Sequence, residues 1–204
     1  MNQGLRERQK ASRRKLILDV AKKNFQIAGY SDVTMEDIAN QSDLSSVTVY
    51  NYFGSKAGIL LALVSESDIR LIKKLDKLIQ TPPKDLITSV SEFGQILRQH
   101  AMYYLKKSTW REVISASIHE GNRKFGKTYA QLDDALIKKM EELILALQSL
   151  KRVSAEVDTK ALADCLFSMQ NARFVQFIAN DTISNEESGN KLLKDLISLQ
   201  VAFE

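Results

Sequence analysis

Near the start of the chain, apolar residues recur at every third or fourth position, and this spacing limits what the chain can fold into. Within residues 12–28 these positions form a single stripe along one side of a helix: Leu16, Ile17, Val20, Ala21, Phe25 and Ala28. Helical patterns continue along the rest of the chain, and no convincing strand pattern interrupts them. Few positions break a helix, since the 204 residues include only 8 Gly and 2 Pro. The sequence therefore predicts an all-α fold.

Two short helices joined by a three-residue turn are expected after the first helix, which Gly29 ends. Thr34 begins the next helix, 35–41, and Asp37 lies at the position that completes a capping box. The turn is Ser42–Asp43–Leu44, and Ser45 is the N-cap of a third helix that ends near Phe53. This arrangement is a helix-turn-helix. Six later helices are predicted at about 56–80, 84–106, 108–119, 127–152, 159–180 and 187–203.

The positive charge of the chain is concentrated in residues 1–15, the basic segment, which holds six basic residues and one acid. The formal net charge of the whole chain is +4, so the remainder is close to neutral. The basic segment is either a solvated tail or an arm that binds an anionic polymer. The apolar pattern places it before a first helix that begins at about Ser12.

The third helix carries small polar side chains near its start and tyrosines further on. DNA readers of the helix-turn-helix class place the start of this helix in the major groove. Short hydroxyls there can reach base edges, and Val47 can contact a thymine methyl. The serines could instead only cap the helix, and Tyr50 could only pack. The residues predicted to contact DNA are Thr34, Ser45, Ser46, Val47, Thr48, Tyr50, Asn51, Tyr52 and Lys56.

The stretch "RRKLILDVAKKNFQIAGYSDVTMEDIANQSDLSSVTVYNYFGSKAGIL" (13–60) resembles the N-terminal domain of the TetR family of bacterial transcriptional regulators. Asp43 departs from the glycine usual at that turn, although Asp tolerates a left-handed backbone. Val47 stands where a small residue is frequent. The resemblance implies a helix-turn-helix DNA-binding domain over residues 1–56 and a helical ligand-binding and dimerisation domain over residues 57–204.

The resemblance also implies a homodimer that binds double-stranded DNA at a palindromic operator and an unknown small-molecule effector. The last two helices would form the subunit interface, which agrees with apolar residues lying nearly all round residues 161–178. A monomeric bundle with a central helix is the alternative explanation of that pattern. The residues predicted to line the effector site are Tyr103, Trp110, Ile114, His119, Tyr129, Phe167, Asn171 and Phe174, each of which could equally be core.

Other kinds of site have little support in the sequence. The two histidines, His100 and His119, match no metal-ligand spacing, so no metal or cofactor is expected. Cys165 is the only cysteine, and no phosphate loop or nucleophile–base pair points to an enzyme. The chain starts without an apolar stretch and holds no membrane-spanning run, so we expect a cytoplasmic protein.

These features predict a transcriptional repressor that a small ligand releases from DNA. The ligand would favour a spacing of the two DNA-binding domains that does not fit the operator, and the fourth helix would transmit this change. Two alternatives stay open. The C-terminal domain could dock another protein instead of a small ligand, or the chain could be an all-α enzyme whose helix-turn-helix is incidental.

Overall fold

The computed structural model describes residues 2–121 and 123–203, and every regular element in those ranges is an α-helix. The all-α prediction is confirmed. The helices are α1 (Asn2–Ile27), α2 (Met35–Gln41), α3 (Ser46–Phe53), α4 (Lys56–Gln80), α5 (Leu86–Tyr104), α6 (Lys107–Glu120), α7 (Lys124–Ser149), α8 (Thr159–Ala179) and α9 (Asn185–Phe203).

Helix α1 begins about three turns earlier than predicted. The expected start at Ser12 is wrong, because α1 already includes Asn2. The basic segment is therefore helical from residue 2 and is not an irregular arm. Its residues 4–13 are exposed and consist mainly of Arg, Lys, Gln, Glu, Leu and Ala, which favour a helix without an apolar stripe to bury. At the other end, the prediction that Gly29 stops the helix is confirmed by its φ of 94°.

The end of α2 is a Schellman motif built around Asp43. The Leu44 N–H donates to the Ala39 carbonyl at 3.0 Å and the Asp43 N–H donates to the Asn40 carbonyl at 3.2 Å. This motif needs a left-handed residue, and Asp43 takes a φ of 52°. The prediction that Asp serves here in place of glycine is confirmed.

The described chain divides into two compact units. Unit 1 is Met1–Ser67 with Tyr104–Tyr129, and unit 2 is Asp68–Tyr103 with Ala130–Glu204. In unit 1, α1 packs on α2 and α2 packs on α3, and the fully buried residues include Ile17, Phe25, Ile38 and Val49. These units do not coincide with the predicted DNA-binding domain (1–56) and ligand-binding domain (57–204). That functional division stays a prediction.

Unit 2 has its own apolar core, to which α4, α5, α7, α8 and α9 contribute. Its most deeply buried members include Leu75, Phe93, Met140, Leu143 and Leu192. Helices α8 and α9 pack against each other, and Arg173 on α8 makes a two-pronged ion pair with Asp195 on α9 at 2.5 and 2.6 Å.

The predicted bounds of α5–α9 are off by up to three residues, and α7 shows why. The sequence predicts that α7 continues to Arg152, but it ends at Ser149. Lys151 adopts a φ of 58°, and the Arg152 N–H donates back to the Leu147 carbonyl at 2.9 Å. This is a second Schellman ending, formed around a lysine in place of the usual glycine.

Asp133 on α7 carries a carboxyl group that is harder to ionise than an exposed one. Burial, with a contribution from the charge of Asp134, raises the pKa of Asp133 from 3.8 to about 6. The folded chain therefore holds this proton more tightly than the unfolded chain does. As the pH rises from 3.8 to about 6, ionisation of Asp133 lowers the free energy of unfolding. At higher pH the whole of this loss of stability remains.

We expect Asp133→Asn to raise the free energy of unfolding by about 1–2 kcal/mol at neutral pH, after allowing for partial exposure of the carboxyl group. Below about pH 3 the gain should vanish, since Asp133 is then protonated in both states. Urea unfolding at the two pH values measures the difference. The control is Asp164→Asn, which changes an exposed carboxylate of the same unit. An equal gain at both pH values would contradict the assignment.

Candidate nucleic-acid interface

Helix α3 is held in unit 1 by one buried side chain and a capped first turn. Val49 is fully buried and anchors the helix. Ser45 is the N-cap, as predicted, because its Oγ accepts from the Thr48 N–H at 3.2 Å. The Ser45 and Thr48 hydroxyls also share a hydrogen bond of 2.8 Å. Gly54 ends the helix with a φ of 74°.

The outward side of α3 consists of Val47, Tyr50 and Asn51. Val47 is 69% exposed, Tyr50 is 44% exposed, and Asn51 is also exposed. Positions spaced by three and four residues lie on one side of a helix, so these three side chains share a surface. That surface offers one apolar branch, one phenol and one amide, which are the groups that can contact thymine methyls, phosphates and base edges.

Four predicted contacts are half-buried: Ser46, Thr48, Tyr52 and Lys56. Tyr52 stacks at a tilt beside Phe53, with ring centroids 6.2 Å apart. The Arg14 guanidinium lies 5.6 Å from the Phe53 ring and pairs with Glu66. Arg14, Tyr52 and Phe53 line part of a cavity of about 340 Å³ within unit 1. Tyr52 therefore has a packing role besides its predicted one.

Thr34 caps α2 with a reciprocal pair of hydrogen bonds, which confirms the predicted capping box. Its hydroxyl accepts from the Asp37 N–H at 3.1 Å, and its own N–H donates to the Asp37 carboxylate at 2.9 Å. The hydrogen bonds from Thr34 lower the pKa of Asp37 below its ordinary value. Thr34 is exposed, so it is accessible to a ligand at this helix start.

Lys56 is engaged within the protein. Its Nζ donates to the carbonyls of Tyr30, Ser31 and Val33 at 2.7, 3.2 and 2.8 Å, and it lies 4.4 Å from the centre of the Tyr30 ring. Lys56 thereby ties the loop between α1 and α2 to the start of α4. The predicted phosphate contact of Lys56 stays a prediction, and it requires at least one of these hydrogen bonds to be exchanged for a phosphate.

Tyr30 is a residue of this region for which the sequence pattern predicts no role. Its ring lies 5.3 Å from the Phe25 ring and supports the Lys56 ammonium. Burial and then the charge of Glu112 raise the pKa of Tyr30. One sequence feature could have indicated this role: an aromatic residue directly follows Gly29. Apolar residues just after the end of a helix often pack back against that helix.

We expect Lys56→Met to lower the free energy of unfolding by about 2 kcal/mol, because three carbonyls lose a charged donor. Urea unfolding of the full chain measures the change. Lys23→Met removes an exposed charge from α1 of the same unit and serves as the matched control. If the two variants are equally stable, the three hydrogen bonds do not hold the loop in solution.

The eight predicted effector residues are divided between the two units. Trp110, Ile114, His119 and Tyr129 belong to unit 1, and Tyr103, Phe167, Asn171 and Phe174 belong to unit 2. Among the larger ones, Trp110, Phe167 and Phe174 are buried, whereas Tyr103 is 64% exposed. None of the eight residues lines the cavity of about 340 Å³ in unit 1 or a cavity of about 450 Å³ in unit 2. The effector site therefore stays a prediction.

In the described part of the chain, no three His, Cys, Asp or Glu side chains come together in a group that could hold a metal ion. No single helix in these ranges has the length and apolar composition needed to cross a membrane, although the bent pair α3 and α4 passes that test jointly.

Comparison with known proteins identifies the N-terminal part of the chain. Residues 17–63 match the family described as bacterial regulatory proteins, tetR family. This stretch contains α2, α3 and the capped turn between them. No curated protein matches the sequence.

Solved structures with the same fold cover nearly the whole chain. A TetR-family transcriptional regulator from Pectobacterium atrosepticum is 21% identical with a TM-score of 0.73, and the match covers 98% of this chain and 95% of that one. A transcriptional regulator from Saccharomonospora viridis in complex with choline is 21% identical with a TM-score of 0.68, covering 92% and 96%.

A third structure is FadR from Bacillus subtilis in complex with stearoyl-CoA, which is 16% identical with a TM-score of 0.66 over 90% of this chain and 97% of that one. At these levels of sequence identity the structural similarity shows only that the fold is shared. The assignment of the N-terminal domain rests on the family match of residues 17–63. Residues 17–63 therefore match the tetR family of bacterial regulatory proteins, and the chain shares its fold with solved TetR-family transcriptional regulators.

Proposed function

We propose that this regulator is a repressor that binds a palindromic operator as a homodimer and leaves it when a small molecule binds. The observation that carries the proposal is the exposed surface of α3, formed by Val47, Tyr50 and Asn51 on a helix that Val49 anchors and Ser45 caps. A rigid, anchored helix with an exposed polar and apolar surface suits base readout in a major groove.

The basic segment supplies the expected electrostatic part of DNA binding. Its cations lie along the start of α1 and, from Arg6 to Arg13, they are exposed. Neutralising phosphates with such cations releases counterions, which gives affinity without sequence preference. In this proposal α1 contributes affinity and α3 contributes specificity.

Dimerisation through α8 and α9 has support from the apolar residues that these helices leave exposed. Val175 on α8 is 39% exposed, and on α9 Leu193, Ile197 and Leu199 are 36%, 46% and 40% exposed. Exposed apolar side chains on two packed helices favour burial against a second copy. A two-fold dimer would place its two α3 helices on half-sites about one helical turn apart, or a multiple of it.

Release by a small molecule has support from the structural neighbours, of which one holds choline and another stearoyl-CoA. A ligand shifts the equilibrium between the DNA-binding and the released conformation only if it binds one of them more tightly. Reversing the two populations completely needs a difference in binding free energy of up to roughly 5.5 kcal/mol. Helix α4 contributes residues to both units, so it is the element through which we propose that binding reaches the DNA-binding domain.

The experiment that tests the proposal begins with duplexes selected by the full chain from a randomised library. We expect enrichment of a two-fold symmetric site, and footprinting should show protected half-sites with the predicted spacing. Light scattering of the free protein should give the mass of a dimer. A panel of cationic, acyl and polar metabolites is then screened for loss of footprint.

Enrichment of no duplex, or protection of a single asymmetric site by a monomer, would contradict the proposal. A symmetric footprint that no metabolite alters, but that a protein partner removes, would replace the small ligand with the alternative regulator while keeping the operator.

A further inference from the structure

Arg98 on α5 is a buried guanidinium with a free donor. The side chain is only 2% exposed. Its Nε donates to the Asn185 side-chain oxygen at 3.0 Å, whereas Nη1 is buried without a hydrogen-bond partner in the described structure. A buried charge left partly unpaired is costly, so a protein rarely keeps one without a use.

No carboxylate of the described residues forms an ion pair with Arg98. The acidic residue nearest in the lining of the adjoining cavity is Glu186, which is exposed and makes no hydrogen bond to the guanidinium. Burial alone lowers the pKa of Arg98, and no neighbouring acid opposes that shift. The position therefore offers a positive charge whose counter-ion is missing from the described chain.

The Arg98 guanidinium occupies space that is open because two neighbouring residues are glycines without side chains. A Cβ at Gly94 would lie 3.1 Å from Nη1, and a Cβ at Gly189 would lie 2.9 Å from Nη2. Gly94 is on α5, and Gly189 is in the second turn of α9. Any larger residue at either position would displace the guanidinium, so the two helices together form a cradle for it.

Arg98 lines a cavity of about 450 Å³ within unit 2, and its Nη2 lies beside Gly189, which also lines that cavity. This volume lies within the range of small-molecule sites. Half of its lining residues are polar and uncharged: Ser91, Gln95, Asn185 and Asn190. The Ser91 hydroxyl is also buried without a partner, so it offers a second donor.

We infer that unit 2 binds a small molecule through an oxyanion group, a carboxylate or a phosphate, which the Arg98 guanidinium holds in this cavity with help from the Ser91 hydroxyl. The planar fork of arginine matches both groups with two parallel hydrogen bonds. The polar lining would accommodate hydroxyl or amide groups on the rest of the ligand. The inference goes beyond the proposed function, because it concerns binding in unit 2 and requires no DNA.

The test measures anion binding to the full chain without DNA. Sodium acetate and sodium phosphate are the two probes, each titrated through the millimolar range against sodium chloride at constant ionic strength. We expect saturable stabilisation in thermal unfolding and saturable heat in calorimetry for at least one probe. A response to acetate alone identifies a carboxylate site, and a response to phosphate alone identifies a phosphate site.

Arg98→Met should weaken that binding at least tenfold, since it removes the charged fork. Lys194→Met removes an exposed charge from α9 of the same unit and should leave binding unchanged. Gly189→Ala keeps the arginine but crowds its Nη2, so it should also weaken binding, and it serves if Arg98→Met fails to fold.

Absence of saturable binding by either anion would overturn the inference, and so would binding that Arg98→Met and Gly189→Ala leave intact. In that case Arg98 is satisfied internally, for example by the buried and unpaired Gln170 oxygen. Because the readout contains no DNA, failure here is distinguishable from failure to select an operator.

Discussion

The double change Thr48→Ala and Tyr50→Ala is expected to weaken binding to the selected operator by at least about a hundredfold. Each base or phosphate contact of this kind contributes about 1–3 kcal/mol, and every 1.4 kcal/mol is a factor of ten. A dimer carries the change twice. Tyr50 is 44% exposed on the outward side of α3, so its loss removes a contact without opening the core.

The fold should survive the double change. The Thr48 hydroxyl shares a hydrogen bond with Ser45, but the cap itself uses the Thr48 backbone N–H, which alanine retains. Gel-shift titration measures affinity, and circular dichroism with thermal unfolding checks the fold. Ile118→Ala, on α6 of the same unit and 76% exposed, is the control that should bind as the parent does. Unchanged operator binding by the double variant would remove the DNA-reading role from α3.

The second large effect is expected at Gly58, in the first turn of α4. A Cβ there would overlap the Phe53 carbonyl oxygen and lie 3.1 Å from its carbon. These are backbone atoms at the end of α3, so no side-chain rotation can relieve the overlap. The Gly58 N–H also donates to the Ser55 hydroxyl at 3.0 Å, which fixes the start of α4. We expect Gly58→Ala to lower the free energy of unfolding by about 3 kcal/mol, in the upper range of overpacking effects.

The matched control is Gly4→Ala on the exposed start of α1, where nothing lies within 4 Å of the added Cβ. That change should raise helix stability by up to about 1 kcal/mol, because alanine loses less backbone entropy. Urea unfolding compares the two variants, and gel shifts show whether displacing the end of α3 also weakens DNA binding. A Gly58→Ala chain as stable as the parent would mean that the junction between α3 and α4 relaxes in solution.

Much of the candidate interface could be predicted because its hydrogen bonds are local. The Thr34–Asp37 capping box, the Ser45 cap and the left-handed Asp43 each depend on residues within five positions of one another. Apolar spacing likewise predicted the helices, and it failed at the start of α1 because charged and polar residues of high helix propensity need no apolar stripe.

The long-range features were not predictable in this way. Lys56 is predicted to contact a phosphate, and the structure adds that its ammonium binds carbonyls 23, 25 and 26 positions earlier in the chain, which the sequence pattern does not indicate. Arg98 suggested nothing in the sequence, because an arginine within a helix is normally exposed. Its partner Asn185 is 87 positions away. The one local hint was Gly94, a glycine four residues earlier on the same helix.

The sequence by itself determined the all-α fold class, the caps, the turn and the family of the DNA-binding domain, since neighbouring residues encode all of these. Only the tertiary structure decided which cations are engaged and which remain available. Lys56 is taken up by the loop before α2, and Arg98 is buried beside a cavity with a donor to spare. The physical reason is that the environment of a charge depends on atoms that packing brings together. Those atoms come from residues far apart in the sequence, and local sequence patterns do not indicate that they will meet.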